Sequence, residues 1–448
     1  MKKHPTERSK ARQLNLFVDE RSLFDKLCDL QNLRAGFKAV KKNGGAPGTD
    51  RVTVDEYESR LDEELAWLKK DLESWSYKPN PVLRVEIPKP GKGAGVRLLG
   101  VPCVGDRVVH ATLKILLEPI LDPTFSNHSY GFRPGYNQQQ AVEAAQGIVK
   151  SGKGYVVDID LSKFFDRVNH DRLIYLLSGH VTDKRILRLI GMILRSGVMI
   201  NGVVQLTDEG TVQGSPLSPL LSNLVLDELD KELERRGLEF CRYADDCNIF
   251  VRSLKSANRV MTSISKFIEQ KLKLKINREK SKVGQSREVK FLGMTIIDGT
   301  VAISAQSMKR AMQKVKELTP RGTSLSLEKT MKRINEWYIG WSGYYLMTQY
   351  PAQFVTIEGH IRRRLRARIV DQQKRRRHLF KKLIKRGVPQ DQAAKTAQSN
   401  RGRWALSWTE ALHKAFPNRW FTDALGQRLR SNAKLKHWFN VHRWIRVT

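Results

Sequence analysis

The chain has 448 residues, of which 40% are hydrophobic and 28% are charged. At about 100–200 residues per domain, this length predicts two to four folded domains. No run approaches the roughly 20 apolar residues of a membrane span, and the basic N-terminus lacks the apolar core of a signal peptide. The four cysteines form no C-x-x-C pair, which argues against a disulfide framework or zinc ribbon and favours a reducing cytoplasm.

The charge indicates a polyanionic partner. With 80 lysines and arginines against 46 acidic residues, the formal net charge is +34. Nucleic acid is the commonest such partner; an anionic membrane surface is the alternative, disfavoured because the cations are spread over several elements. Residues 301–448 carry 32 of the cations and 8 acids, a net +24, and residues 362–386 carry 13 cations and one acid. Apolar residues at helical spacing within 362–386 predict basic helices.

The predicted elements mix helices and short strands. Helical periodicity covers 54–73, 107–121 (with a kink or stop at Pro119) and 216–236. Runs that are typical of strands cover 82–87, which precedes a Pro/Gly-rich turn, 155–161 and 247–251. There is no strict βαβ alternation, so an α+β fold is expected.

Three carboxylates accompany the predicted strands. Asp160 ends one apolar run, and the adjacent Asp245 and Asp246 precede another. Neighbouring acids repel each other, and Mg²⁺ removes the conflict because it prefers oxygen ligands and retains substrate phosphates. The three acids could hold two ions about 3.5–4 Å apart, as two-metal phosphoryl transfer requires. The alternative for an isolated Asp pair is a solvated turn.

The order of the motifs extends this interpretation. DIDLSKFFDRVNH (158–170), QGSPLSPLLSN (213–223) and YADD (243–246) follow one another. Further motifs flank them: NLRAGFKAVKKNGGAPGTD (32–50), IPKPGKGAGVRLLGVP (87–102), SYGFRPG (129–135), LKINREKSK (274–282), FLGM (291–294) and NEWYIGWSGYY (335–345). Over most of its length, the chain therefore resembles the reverse transcriptases encoded by bacterial group II introns, the intron maturases.

The resemblance implies an α+β right-hand polymerase with fingers, a palm built on an antiparallel sheet, a helical thumb and a small basic C-terminal helical region. The expected domains are an N-terminal extension with the start of the fingers (1–85), the fingers and palm (86–300), the thumb or maturase domain (301–386) and a DNA-binding tail (387–448). The last cysteine is Cys247, so the cysteine-ligated HNH endonuclease of longer members is not expected, and the chain resembles the endonuclease-lacking subgroup.

The same resemblance implies roles for individual residues. Asp160, Asp245 and Asp246 match the catalytic, metal-binding acids for two Mg²⁺ ions, with Mn²⁺ as an alternative. Asp158 should share a face with Asp160, but the family pattern makes Asp160 the ligand. Phe165 matches the residue that contacts the sugar of the incoming deoxynucleotide and excludes a 2′-hydroxyl; core packing is the alternative.

Other positions match the nucleotide and nucleic-acid contacts of the family. Lys89 and Arg97 match the residues that bind the triphosphate, although a surface hairpin with solvated charges would look similar. Gln213 matches a residue of the loop beside the incoming nucleotide. Lys280 matches a lysine near the departing pyrophosphate. FLGM resembles the hairpin that grips the primer, with core packing as the alternative. The expected RNA-binding residues are Arg362, Arg363, Arg364, Arg375, Arg376, Arg377, Lys381 and Lys382.

The expected function is that of an RNA-directed DNA polymerase that binds its intron RNA as a splicing cofactor and copies it into DNA during mobility. Its partners would be structured intron RNA, an RNA template with a DNA primer, target DNA and dNTPs, without a membrane. The expected location is the bacterial cytoplasm, with nucleoid association when DNA is bound. The alternatives are a polymerase-inactive RNA-binding maturase and a domesticated reverse transcriptase in defence or repair.

Overall fold

The computed structural model describes residues 21–88, 95–162, 164–200, 203–205, 210 and 214–423. These residues fall into two compact units. The first is drawn from residues 1–141 and 155–283, and the second from 142–154 and 284–448. Each unit has its own hydrophobic core, within 24–276 and 311–421 respectively.

The first unit is rich in helices. They are α1 (Leu23–Leu27), α2 (Leu30–Asn43), α3 (Val54–Ser59), α4 (Leu61–Glu73), α5 (Val104–Leu121), α7 (His170–Ser178), α8 (Lys184–Leu194), α9 (Ser218–Arg235) and α10 (Leu254–Gln270), while α6 (Gln138–Lys150) leads into the second unit. Their starts follow ordinary capping rules: Thr53 and Glu56, for example, form a complete capping box. The periodic run at 54–73 forms two helices, because Arg60 leaves the helical backbone region. Pro119 lies within α5, which ends two residues later.

Strands of the described chain form three sheets. The strands are β1 (Val82–Pro88), β2 (Val96–Val101), β3 (Tyr155–Ile159), β4 (Val198–Ile200), β5 (Val203–Gln205), β6 (Glu239–Tyr243), β7 (Asp246–Val251), β8 (Lys282–Gln285), β9 (Met294–Ile297) and β10 (Thr300–Ile303). One sheet has the order β2-β1-β4-β5, a second has the order β6-β7-β3-β8, and β9 pairs with β10.

The β6-β7-β3-β8 sheet positions the acidic residues. The strands predicted at 155–161 and 247–251 correspond to its two central members, β3 and β7. Four of their β-branched side chains are buried in the core of the first unit: Val157, Ile159, Ile249 and Val251. The β3–β7 pair is antiparallel, with Ile159 opposite Cys247. β6 and β7 form a hairpin, with Tyr243 opposite Asp246. The end of β3 and the tip of this hairpin therefore lie at the same edge of the sheet.

The described part of the second unit is mostly helical. Its helices are α11 (Ala305–Leu318), α12 (Leu327–Tyr344), α13 (Ala352–Asp371), α14 (Arg376–Lys385), α15 (Gln390–Gln398), α16 (Arg403–Leu406), α17 (Glu410–Ala415) and α18 (Asn418–Asp423). The basic segment 362–386 is helical as predicted, divided between α13 and α14. None of the helices in the described part of the chain combines the length and the apolarity that a membrane span requires.

Candidate active site

The three predicted metal-binding acids converge at one edge of the sheet. Asp160 follows the last residue of β3, Asp245 lies in the turn between β6 and β7, and Asp246 begins β7. Because Ile159 pairs with Cys247, the chain direction carries Asp160 towards Asp246 across the sheet. Asp160 and Asp245 are partly buried, and Asp246 is exposed.

The turn that carries Asp245 is tightly constrained. Ala244 has a φ of 57°, a left-handed conformation that is unusual for a residue with a Cβ. Gly131, from the SYGFRPG segment, lies against this turn: a Cβ on Gly131 would come within 2.3 Å of the backbone nitrogen of Ala244. A side chain at position 131 would therefore displace the hairpin, and only glycine permits the observed approach.

The buried side chain of Arg242 supports the turn of the hairpin through hydrogen bonds. This side chain is fully buried, and its Nε donates to both carboxylate oxygens of Asp230 at 2.8 and 3.0 Å. Its Nη1 donates to Asn223 Oδ1 and to the Ala244 carbonyl oxygen, each at 3.0 Å. Asn223 in turn donates to the Gly131 carbonyl oxygen at 2.9 Å. One guanidinium thus joins α9, the SYGFRPG segment and the turn of the hairpin.

The backbone of Asp160 is held by the LKINREKSK segment. Its amide donates to Ser281 Oγ at 3.0 Å, and its carbonyl oxygen accepts from the Asn277 amide at 2.8 Å. The Nζ of Lys280, from the same segment, lies 3.4 Å from each carboxylate oxygen of Asp160. The predicted pyrophosphate-side lysine is therefore adjacent to one of the three acids.

The site brings acidic side chains close together and places basic side chains near them. Burial and the charge of Asp160 raise the pKa of the Asp245 carboxyl, and the charges of Lys280 and Arg97 oppose this rise. Thus Asp160, Lys280 and Arg97 all lie within electrostatic reach of Asp245. Burial also raises the pKa of the Asp230 carboxyl, with Arg242 acting in the opposite direction.

The structure describes only some of the predicted nucleotide-contacting residues. Arg97 lies on β2, and Phe165 is half-buried, with its ring centroid 5.4 Å from that of Phe164. Both predicted interpretations of Phe165, as a sugar contact and as a packing residue, are compatible with this partial burial. Lys89 and Gln213 lie outside the described residues. Gly214 is described: its φ is 127°, and a Cβ there would come within 2.3 Å of the Gly100 carbonyl oxygen of β2.

The acids fit a divalent cation by their chemistry. Carboxylate oxygens are the ligands that Mg²⁺ prefers, and the mutual electrostatic effect of Asp160 and Asp245 is of the kind that a cation relieves. Within the described ranges, no group of three or more His, Cys, Asp or Glu side chains is arranged so that it could hold a metal ion. The three acids are thus brought to one sheet edge without forming a closed ligand cage.

The predicted RNA-binding cations of the second unit divide into two groups. Arg362 pairs with Glu358, Arg364 donates to the side chain and backbone of Thr319, and the Arg363 guanidinium lies 4.0 Å from the ring centroid of Trp404. In contrast, the remaining arginines and Lys381 are exposed, and Lys382 is half-buried; these residues are Arg375, Arg376, Arg377, Lys381 and Lys382. The first group makes contacts within the unit, and the second is mostly exposed to solvent.

Sequence reasoning missed the residues that support the hairpin. Arg242, Asn223 and Gly131 all lie in or beside motifs that were recognised, namely the residue before YADD, the end of QGSPLSPLLSN and SYGFRPG. A buried arginine needs an acidic partner. The arginine directly before YADD, in an apolar stretch, could therefore have indicated a buried ion pair beneath the acids. Its partner Asp230, on a helix, could not be identified without the fold.

Comparison with protein families gives two matches. Residues 87–296 match the model described as "Reverse transcriptase (RNA-dependent DNA polymerase)", and residues 308–387 match "Group II intron, maturase-specific domain". The first match confirms the predicted α+β polymerase fold.

Individual relatives agree with these matches. Protein YkfC of Escherichia coli (strain K12) is 30% identical over 57% of this chain and 77% of its own length. The group II intron-encoded protein LtrA of Lactococcus lactis subsp. cremoris is 27% identical over 63% of this chain and 58% of its own. Among solved structures, a chain of a partial Cas6-RT-Cas1–Cas2 complex is 25% identical over 56% of this chain and 43% of its own, with a TM-score of 0.37, too low to support an argument.

The chain therefore spans most of one of these curated relatives and little more than half of the other. The two family matches occur in the order that the motifs predicted, the polymerase region first and the maturase region second. Together with the 30% identity to a relative of which the chain covers 77%, they establish the family. This protein belongs to the group II intron-encoded reverse transcriptases that carry a maturase-specific domain.

Proposed function

We propose that this protein is an active RNA-directed DNA polymerase that extends a DNA primer along an RNA template. The observation that carries the proposal is the convergence of Asp160, Asp245 and Asp246 at one sheet edge, with Lys280 and Arg97 within electrostatic reach of Asp245. The folded state holds the partly buried Asp245 within electrostatic reach of Asp160, which raises the pKa of Asp245 and favours a catalytic use over a structural one.

In this proposal the three acids hold two divalent ions, Mg²⁺ or Mn²⁺. When bound, such ions promote attack by the primer 3′-oxygen and stabilise the leaving pyrophosphate. The chain itself positions the carboxylates through Arg242 and Ser281 and places cations beside them. Arg97 and Lys280 neutralise charge on the triphosphate, with Lys89 and Gln213 as further predicted contacts, and Phe165 packs against the deoxyribose.

We further propose that the second unit binds intron RNA and so acts as the splicing cofactor. The maturase-specific match at 308–387 and the exposed cations of α14 support this role. Cations along a helix bind backbone phosphates without reading bases, which suits recognition of RNA helices by their shape. Residues 387–448 remain the predicted DNA-contacting region, and target DNA remains the predicted partner.

The test is primer extension on poly(rA) with oligo(dT), Mg²⁺ and dTTP, comparing the wild-type protein with Asp245→Asn. We expect the wild type to extend the primer and the variant to lose extension, because the substitution removes a metal-binding charge and changes the shape of the side chain little. Chelation of Mg²⁺ should abolish wild-type extension as well.

Binding of a structured intron RNA by the same preparations is the control for folding, and it should be unchanged in Asp245→Asn. An inactive wild-type protein that still binds the RNA would instead support the alternative of a polymerase-inactive maturase. A variant that extends primers at the wild-type rate would refute the assignment of Asp245.

A further inference from the structure

Phe132 combines two features that folding alone does not favour. The residue is 50% exposed, although it lies beside a well-packed region of the first unit. Its φ is 59°, in the left-handed region, which is strained for a bulky side chain and is normally occupied by glycine or asparagine. Strain of this kind persists only where the surroundings enforce it, and it is concentrated at functional sites.

The residues on both sides of Phe132 enforce its conformation. The next residue, Arg133, is buried, and its guanidinium donates to Asp122 Oδ1 at 2.7 Å and to the carbonyl oxygens of Ser126 and Ser129 at 2.6 and 3.0 Å. On the other side, Gly131 is fixed by Asn223 and by its contact with Ala244. The exposed ring thus stands between two anchored positions, so its placement is well defined.

This placement is beside the acidic hairpin. The Phe132 ring centroid lies 6.4 Å from that of Tyr243, the residue that pairs with Asp246. The preceding segment runs along the outer edge of β6, where the Tyr130 amide donates to the Arg242 carbonyl oxygen at 2.8 Å. Asp160 and Phe165 follow β3, which lies on the opposite side of β7.

Phe132 therefore lies on the β6 side of the acidic hairpin, whereas Asp160 lies on the β3 side. In the proposed function, Phe165 faces the sugar of the incoming nucleotide, so a ring on the far side of the hairpin would meet nucleotides that are already paired. An exposed aromatic ring provides a flat apolar surface for a base or a sugar, whatever the sequence. The chain's large positive charge provides the attraction for the phosphates of such a duplex.

We propose that Phe132 is a binding residue for the template–primer duplex and packs against its terminal base pair next to the acids. This proposal rests on the proposed polymerase function and adds a substrate contact to it. A role in the core is excluded by the exposure of the ring, and a role as a turn former would be served better by glycine or asparagine.

The test uses Phe132→Asn, because asparagine tolerates the left-handed backbone conformation and lacks the ring. Two quantities are measured: the free energy of unfolding by chemical denaturation, and the affinity for a fluorescent RNA–DNA duplex with Mg²⁺ and without dNTPs. We expect the variant to be at least as stable as the wild type and to bind the duplex about 5- to 100-fold more weakly. Phe132→Tyr, which keeps the ring, should retain most of the affinity.

Tyr175→Ala is the matched control, because Tyr175 is an exposed aromatic residue of the same unit on helix α7. Its affinity for the duplex should equal that of the wild type. The proposal is overturned if Phe132→Asn binds the duplex as the wild type does, or if Tyr175→Ala weakens binding equally. Primer extension by the wild-type protein is measured in parallel, so that a failure of the polymerase function is distinguished from a failure of this contact.

Discussion

At the scale of single residues, the site depends most on Arg242. The turn that carries Asp245 contains a left-handed Ala244, and its carbonyl oxygen is held by a buried guanidinium. The same guanidinium neutralises Asp230, so its removal would leave an unpaired carboxylate in the core. Stability and hairpin geometry are therefore coupled through one side chain.

Replacement of Arg242 should destabilise the fold strongly. We expect Arg242→Met to lower the free energy of unfolding by about 3–5 kcal/mol, because one partner of a buried ion pair is lost. Arg172→Met is the matched control: the Arg172–Glu228 pair is about one-third exposed, and its loss should cost about 1 kcal/mol or less. Chemical denaturation of both variants measures the difference, and equal effects would contradict the assignment of Arg242 as the structural support of the turn.

Phe165 offers a test of nucleotide selection at the same scale. If its ring blocks a ribose 2′-hydroxyl, Phe165→Ala should reduce discrimination between dTTP and UTP by about 10- to 100-fold, since each tenfold in kcat/KM corresponds to about 1.4 kcal/mol. The ratio of kcat/KM for the two nucleotides is the measurement. If Phe165→Ala lowers activity on both nucleotides and leaves the ratio of their kcat/KM values unchanged, Phe165 serves in packing and not in nucleotide selection.

At the scale of elements, α13 and α14 use their cations differently. The arginines of α13 contact Glu358, Thr319 and Trp404 within the second unit. Those at the start of α14 are exposed, although Arg376 donates to Asn400 at 2.6 Å. Compared with the arginines of α13, those at the start of α14 present more of their charge to solvent, so they are the better candidates for binding RNA phosphates.

This difference predicts a salt effect. Replacement of Arg375, Arg376 and Arg377 by glutamine should weaken RNA binding and reduce the magnitude of the negative slope of log K against log salt by up to about 2–3, since each phosphate contact contributes about 0.7–0.9. The lysine triple variant keeps the charge and should retain most of the slope. An unchanged slope in the glutamine variant would mean that these arginines are merely solvated.

At the scale of the whole molecule, the sequence was sufficient for the strands that carry the acids. The apolar runs around Asp158 and after Asp246 predicted buried strands, and the order of the motifs predicted the family. Contacts distant in sequence were not predictable, because Gly131 meets Ala244 and Arg242 meets Asp230 only after the chain has folded. Charge counts likewise could not separate Arg364, which is engaged within its unit, from the exposed Arg377.

The central claim is that Asp160, together with the hairpin acids, forms the polymerase centre. The most direct measurement is the rate of single-nucleotide addition to a primer on RNA by the wild type, Asp160→Asn and Asp158→Asn. Asp158 is the matched control, since it lies two residues earlier, within β3, and pairs with Asn248 in the sheet, whereas Asp160 directly follows the strand. We predict that Asp160→Asn loses at least about 100-fold in rate and that Asp158→Asn stays close to the wild type. Wild-type activity in Asp160→Asn, or an equal loss in both variants, would contradict the account.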